Sequence, residues 1–385
     1  MRIGFLTSEY PHIKTGSSGG IGTSIKILAY SLNKIGYKST VFVYGQEIDH
    51  EFLEGNIKIV QIRNIKFRGL SWYLTRKKIQ NTINKYVSRG ELDIVEAPDW
   101  TGITAFMKLN CPVVIKLHGS DTYFCRLDKR PVKFHNYFLE KQALKKADAY
   151  ISVSVFAAEI TNEVFNLSLP CEIIPNGISL PAAEGSFDND LTDNNRKILY
   201  AGTLIRKKGV LDIPLIFNEV NKSCKSAELV IVGGDTPDIK TGSISTWKLM
   251  KSLFSEEAFK RVRYLGKIPN ERMNEYYSTA SVCVFPSYAE AFPVTWLEAM
   301  AIGRAVVASD IGWAHEIIED GVSGILCNPS EHKKFAGHII DILNDNKLKT
   351  SLGNSARSRV KENFSEEIIV EKTIDFYEKV AERRL

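Results

Sequence analysis

The sequence predicts an α/β protein of two halves, each a parallel sheet covered by helices on both faces. Three observations carry that expectation. Short apolar runs alternate with amphipathic helical patterns along the chain, and such alternation builds parallel sheets between layers of helix. A polar, acidic stretch poor in apolar residues, 181–195, interrupts the alternation near the middle and reads as a linker. At 385 residues the chain is also longer than one hydrophobic core commonly serves. The expected layout is an N-terminal domain over 1–180, the linker 181–195, a C-terminal domain over 196–365 and a final helix over 366–385.

In the first half the strand candidates are Ile3–Thr7, Thr40–Tyr44, Ile94–Ala97, Val113–Leu117, Ala149–Val153 and Glu172–Ile174, each a short apolar run. Between the first two, Ile21–Ile35 places Ile25, Leu28, Ala29, Leu32 and Ile35 on one face of a helix. The second half repeats the scheme with Ile198–Ala201, Leu229–Val232, Arg263–Leu265, Val282–Phe285, Ala305–Ala308 and Ile325–Leu326. The amphipathic tail Glu366–Val380 closes the chain as a helix.

Composition narrows the class. With 25% charged and 44% apolar residues the chain has globular proportions. No apolar run approaches the ~18 residues that span a bilayer. The N-terminal segment through Glu9 is too short and polar for a signal peptide and reads directly as a first strand. Six scattered cysteines without a C-x-x-C pair predict buried thiols in a reducing compartment, and suggest neither a disulfide framework nor a zinc site. The expected location is the cytoplasm.

Chemistry concentrates in Phe285-Pro-Ser-Tyr-Ala-Glu290-Ala-Phe292-Pro-Val-Thr-Trp-Leu-Glu298-Ala-Met-Ala-Ile-Gly303. A strand ends at Phe285, Pro293 suits the first position of a helix, and Gly303 suits its end. The free N–H groups and positive dipole of such a helix start form an anion site. Glu290 before the helix and Glu298 within it are placed to accept hydrogen bonds from sugar hydroxyls. An anion site flanked by hydroxyl binders suits a nucleotide-sugar.

The frame Pro-Ser…Glu290-x-Phe292-Pro…Glu298-Ala-Met-Ala-x-Gly resembles the E-x7-E signature of the GT4-type glycosyltransferases, which are retaining enzymes of GT-B fold. The resemblance covers most of the chain. It implies two Rossmann-like domains facing a central cleft, with the final helix crossing back to the first domain. Ligands in open α/β sheets bind at the carboxyl ends of the strands, and the remaining motifs fall there. Gly16-Ser-Ser-Gly19-Gly20-Ile-Gly22 follows the first strand and resembles the glycine loop near the donor diphosphate. His118, read alone, is a packed or capping residue; the resemblance sets it beside the transferred sugar, with Asp121 as a cap for the segment after it. In Gly202-Thr203-Leu-Ile-Arg206-Lys207-Lys208-Gly209, Lys208 matches the family's lysine. Thr203 stands where the family often has an arginine, and Arg206 is the nearest substitute charge. Pro175-Asn-Gly177-Ile resembles the family's segment at the end of the first domain. Gly233-Gly234 and Gly266-Lys267-Ile268 resemble the segments that meet the nucleotide.

The resemblance thus implies these roles. Glu298 holds the ribose and Glu290 the donor sugar. Lys208 and Arg206 face the departing diphosphate together with the amides of Val294 and Thr295. His118 orients the sugar. Gly19, Gly20, Gly233, Lys267, Ile268 and Phe292 complete the donor site. The co-substrate is a nucleoside-diphosphate-sugar, UDP- or GDP-linked, and the acceptor a hydroxyl of a glycan or lipid-linked glycan in cell-surface polysaccharide or glycoconjugate synthesis. No cofactor and no metal are expected: no D-x-D stands in a plausible donor site, Asp188-Asn-Asp190 being in the linker, and the cations and helix start can neutralise the diphosphate. Two alternatives stand beside this reading: a sugar-nucleotide epimerase of the same fold, and a catalytically silent sugar- or membrane-binding module. Residues 57–90 contain no acid but nine cations: Lys58, Arg63, Lys66, Arg68, Arg76, Lys77, Lys78, Lys85 and Arg89. Phe67, Leu70, Trp72 and Tyr73 are interleaved with them. That stretch suits a solvated face, an acidic acceptor or the anionic inner face of a membrane; no motif supports nucleic acid.

Overall fold

The structure, a computed structural model, describes residues 1–16, 18–181 and 196–383. The expected linker is thus almost wholly outside the described residues, as is Asp188-Asn-Asp190. The chain divides into an N-terminal unit, Met1–Ser179 joined by the chain from Ser365, and a C-terminal unit, Leu180–Phe364.

The N-terminal unit holds strands β1 (Arg2–Thr7), β2 (Lys38–Gln46), β3 (His50–Glu54), β4 (Ile57–Arg63), β5 (Ile94–Pro98), β6 (Val113–Leu117), β7 (Ala149–Ser152) and β8 (Cys171–Ile173). Their order in the sheet is β3-β4-β2-β1-β5-β6-β7-β8, parallel throughout except for β3. Two of these strands were not expected. β4 is buried on both faces, with Ile57 and Ile59 in one core and Val60 and Ile62 in the other, but its cations obscured that apolar pattern in the sequence. β3 is a polar edge strand joined to β4 by a turn at Gly55–Asn56, and charged side chains blunt such an edge.

The helix Gly20–Lys34 buries Ile25, Leu28, Ala29 and Leu32, while Ile35 falls outside it and is exposed. The final helix Glu366–Glu382 packs on this same unit: Ile369, Val370, Ile374, Tyr377 and Val380 join the core of Ile3, Phe5 and Leu28. Each such side chain, fully buried, is worth roughly 1.5–3 kcal/mol. Polar ties fix its register. Tyr377 Oη donates to buried Glu96 at 2.6 Å, and Lys34 pairs with Glu366 at 2.7 Å.

The C-terminal unit holds β9 (Lys197–Ala201), β10 (Glu228–Val232), β11 (Val262–Tyr264), β12 (Val282–Phe285), β13 (Ala305–Ser309) and β14 (Ile325–Cys327). The order β11-β10-β9-β12-β13-β14 is all parallel, so the chain reverses direction of winding between β9 and β12. That is the doubly wound order whose switch point opens a ligand crevice at the carboxyl ends of the strands.

Candidate active site

At the switch point of the C-terminal unit the segments after β9 and β12 are fastened together. The backbone N–H groups of Tyr288 and Ala289 donate to the Lys207 carbonyl at 2.8 and 3.2 Å. Gly209 has φ +64°, and a Cβ there would stand 1.7 Å from the Pro286 carbonyl oxygen. Only glycine admits that approach. The short turn Arg206–Lys208 is thereby held so that Lys208 Nζ reaches Glu290 Oε1 at 2.7 Å. Ser287 Oγ donates to the same carboxylate oxygen at 3.3 Å.

The helix after this loop is Val294–Ala301. Pro293 is its N-cap, one position earlier than expected, and no side chain caps it. Val294 and Thr295 remain partly exposed at the start, so backbone donors and the positive dipole end lie just beyond Glu290. Glu298 sits in the second turn, and Tyr277 Oη donates to its Oε2 at 2.8 Å. Burial raises the proton affinity of this carboxyl, while Tyr277 and the charge of Lys208 counter the rise.

The other expected residues separate into groups. Arg206 forms a two-pronged pair with Asp238, Nε to Oδ1 at 2.9 Å and Nη2 to Oδ2 at 2.7 Å. The guanidinium draws the Asp238 carboxyl down to about 2, and Thr241 completes its shell through N–H and hydroxyl. Arg206 therefore has its charge matched within the unit and organises the loop after β10. Phe292 is buried and packs edge-on against Phe364 at 5.5 Å, which makes it a wall of the core behind the loop. Gly233 lies where a Cβ would meet the Gly202 carbonyl at 1.8 Å, so this glycine serves backbone packing between the ends of β9 and β10. Lys267 is exposed and Ile268 partly so, in the loop after β11.

In the N-terminal unit the glycine loop carries its own anion. Glu9 Oε1 accepts from the Gly22 N–H at 3.0 Å, and a Cβ on Gly19 would lie 3.3 Å from that carboxylate. Gly20, by contrast, faces open space. One N–H donor of the helix start that the glycine loop leads into is thus taken by Glu9.

His118 ends β6, and its backbone N–H donates to Asp99 Oδ1 at 3.0 Å. Burial, aided by Lys116, lowers the His118 pKa well below 6.5, so the imidazole is neutral near pH 7. Asp99 is 1% exposed, and burial raises its pKa to about 8. Buried Glu140 accepts from the N–H groups of Thr101, Asp121 and Thr122 at 3.0–3.1 Å and so pins the loop after His118. Ser120, not Asp121, caps the helix Asp121–Leu127; Asp121 is held by Arg130 and Asn136.

Sequence reading missed Tyr277, Asp238, Glu9, Asp99 and Glu140. Tyr277 and Asp238 act from 21 and 32 residues away in sequence, which no local spacing reveals.

Two family descriptions divide the chain where the fold does. Residues 18–180 match "Glycosyltransferase Family 4" and residues 183–359 match "Glycosyl transferases group 1". The chain belongs to the GT4-type glycosyltransferases. Among the relatives of this glycosyltransferase, an uncharacterized glycosyltransferase of Methanocaldococcus jannaschii is 26% identical, with 98% of both chains aligned. The alpha-maltose-1-phosphate synthase of Mycolicibacterium smegmatis is also 26% identical, over 99% of this chain and all of that one. Sucrose-phosphate synthase from Thermosynechococcus elongatus superposes with a TM-score of 0.78 at 21% identity, over 99% of each chain. Anabaena HepE, solved in complex with UDP, superposes at 0.71 with 18% identity over 98% of this chain and all of that one. These likenesses identify the fold of the glycosyltransferase as GT-B.

Proposed function

We propose that this glycosyltransferase moves a hexosyl group, with retention, from a UDP- or GDP-sugar to a hydroxyl of a glycan or lipid-linked glycan, in cell-surface polysaccharide or glycoconjugate synthesis. The observation that carries the reading is the 2.7 Å Lys208–Glu290 pair set against the uncapped start of the helix Val294–Ala301. A lysine after β9 and the free amides of a helix start after β12, at the carboxyl ends of adjacent strands, suit a diphosphate leaving group, whose charge develops as the sugar departs. That HepE is solved with UDP supports a nucleotide donor.

The roles follow from chemistry. Lys208 and the amides of Val294 and Thr295 stabilise the leaving phosphate. Glu290, oriented by Lys208 and Ser287, accepts from donor-sugar hydroxyls. Glu298, oriented by Tyr277, accepts from the ribose hydroxyls. In the N-terminal unit the neutral His118 presents one donor or acceptor to a sugar hydroxyl. Catalysis is positioning plus electrostatic stabilisation, and no metal is required, since Lys208 and the helix start supply positive charge. Arg206 acts through the Asp238 loop, at one remove from the phosphate.

The test is a panel of UDP- and GDP-sugars assayed for release of the nucleoside diphosphate. Release from one donor, with the anomeric configuration kept in the product, supports the reading. A change in the donor sugar without an acceptor would make the protein an epimerase, and inertness toward every donor would make it a binding module.

A further inference from the structure

Six aromatic residues of the N-terminal unit form one patch, and the sequence hid this because they come from three segments. The helix Ser71–Ser88 supplies Trp72 and Tyr73, the loop after β5 supplies Phe106, and the helix Phe134–Lys146 supplies Phe134, His135 and Phe138. Trp72 touches Tyr73, Phe106 and His135 with ring centres at 5.8, 6.0 and 5.8 Å. Phe138 continues the contact to Phe106 at 6.0 Å and to Phe134 at 6.2 Å. Phe134 is 79% exposed and Phe67, at the approach to the first helix, 57%. Phe106 is held with φ +63°, a conformation a bulky residue rarely adopts. The second helix is apolar on two sides: Leu139, Ala143 and Leu144 face the core, while Phe134 and Phe138 face solvent.

Cations surround these rings. Lys77 lies 5.5 Å from the Tyr73 ring and Lys146 6.0 Å from Phe106. Lys66, Arg68, Lys133 and Lys145 are exposed on the same two segments. The one acid within 129–146 is Glu140, buried and committed to backbone donors. The basic stretch 57–90 is not itself a single face. Arg76 is buried on the carbonyls of Thr101 and Gly102, Lys78 pairs with Asp49, and Lys58 pairs with Glu91.

We infer that this patch docks the enzyme on an anionic phospholipid bilayer. A contiguous exposed aromatic surface marks an interaction site. Amphipathic Trp and Tyr rings suit the headgroup level, and a basic rim without opposing acids is complementary to negative lipid.

The experiment is flotation of the full chain with vesicles of phosphatidylcholine alone and of phosphatidylcholine mixed with phosphatidylglycerol. The wild type should float with the mixed vesicles at low salt. It should stay behind with pure phosphatidylcholine, and be released at ~1 M salt, where the screening length falls to ~3 Å. Phe134→Ser/Phe138→Ser should cut partitioning about tenfold or more, the loss expected from removing two inserted rings. Its melting temperature should change little, because Phe134 is almost fully exposed and Phe138 lies at the surface outside the core. Lys133→Glu/Lys146→Glu should lose binding to the mixed vesicles while keeping the rings. A wild type that stays soluble with mixed vesicles at low salt overturns the inference. So does a Phe variant that melts normally and still floats, or equal binding to both vesicle types. Quenching of tryptophan by a soluble acidic glycan without flotation would reassign the patch to an acceptor.

Discussion

Asp99 shows how one buried group shapes behaviour near the site. Its carboxyl keeps a proton up to about pH 8, whereas the unfolded chain gives it up near the ordinary 3.8. Its stabilising contribution is full below the unfolded value and is lost as pH rises through the folded one. Across that window this group lowers stability by up to about 1.4 kcal/mol per pH unit. Asp99→Asn keeps an oxygen for the His118 N–H and removes the titration. Thermal melts between pH 5 and 8 should therefore show a flatter dependence in the variant than in the wild type; parallel curves would place the ionised carboxylate in the folded state. Glu298 carries a separate expectation. Contacts to ribose form in both ground and transition states, so Glu298→Ala should weaken binding of the free nucleoside diphosphate roughly tenfold, the loss of one hydrogen bond to a charged group. Tyr277→Phe should weaken it less, because it only loosens the carboxylate. Calorimetry reads both, and unchanged affinity in Glu298→Ala contradicts the ribose assignment.

Among elements, the turn Arg206–Lys208 and the loop after β12 form one unit around Gly209. Gly209→Ala should cost at least about 1–2 kcal/mol for the left-handed backbone alone. The clash with the Pro286 carbonyl adds to this and displaces Lys208. Urea denaturation and donor turnover should fall together, and a variant with wild-type stability would mean that the two loops are not so tightly apposed. The basic run Arg206-Lys207-Lys208 was legible as a strand-end cluster and the resemblance singled out Lys208, but the partner of Arg206 was not legible. Asp238 claims Arg206, and that acid lies 32 residues on, in a loop with no period to read. β4 was missed for a different reason: its buried isoleucines were present, but its cations dominated the reading. The apolar patch was half seen, since Trp72 and Tyr73 stood out within the basic stretch while Phe134 and Phe138 lie more than 60 residues further on.

For the whole molecule, the alternation of strand and helix was enough to read two parallel-sheet units. Each core strand is a short apolar run that a parallel sheet buries on both faces. The return of the final helix to the N-terminal unit was not legible in its own sequence, because amphipathicity states that a face is buried but not against what. Glu290 and Glu298 were legible from their frame, and the 2.7 Å approach of Lys208 to Glu290 ties that frame to the other strand end. On the proposed mechanism, Lys208 and the start of the helix Val294–Ala301 carry the charge of the leaving group without a metal. Donor hydrolysis by the wild type, by the wild type with EDTA and by Lys208→Ala tests it most directly. EDTA should leave the rate intact, and Lys208→Ala should lower it about a hundredfold, or roughly 3 kcal/mol, with donor affinity little changed. Loss of activity with EDTA restored by Mg²⁺ or Mn²⁺, or near-normal turnover in Lys208→Ala, would contradict the account.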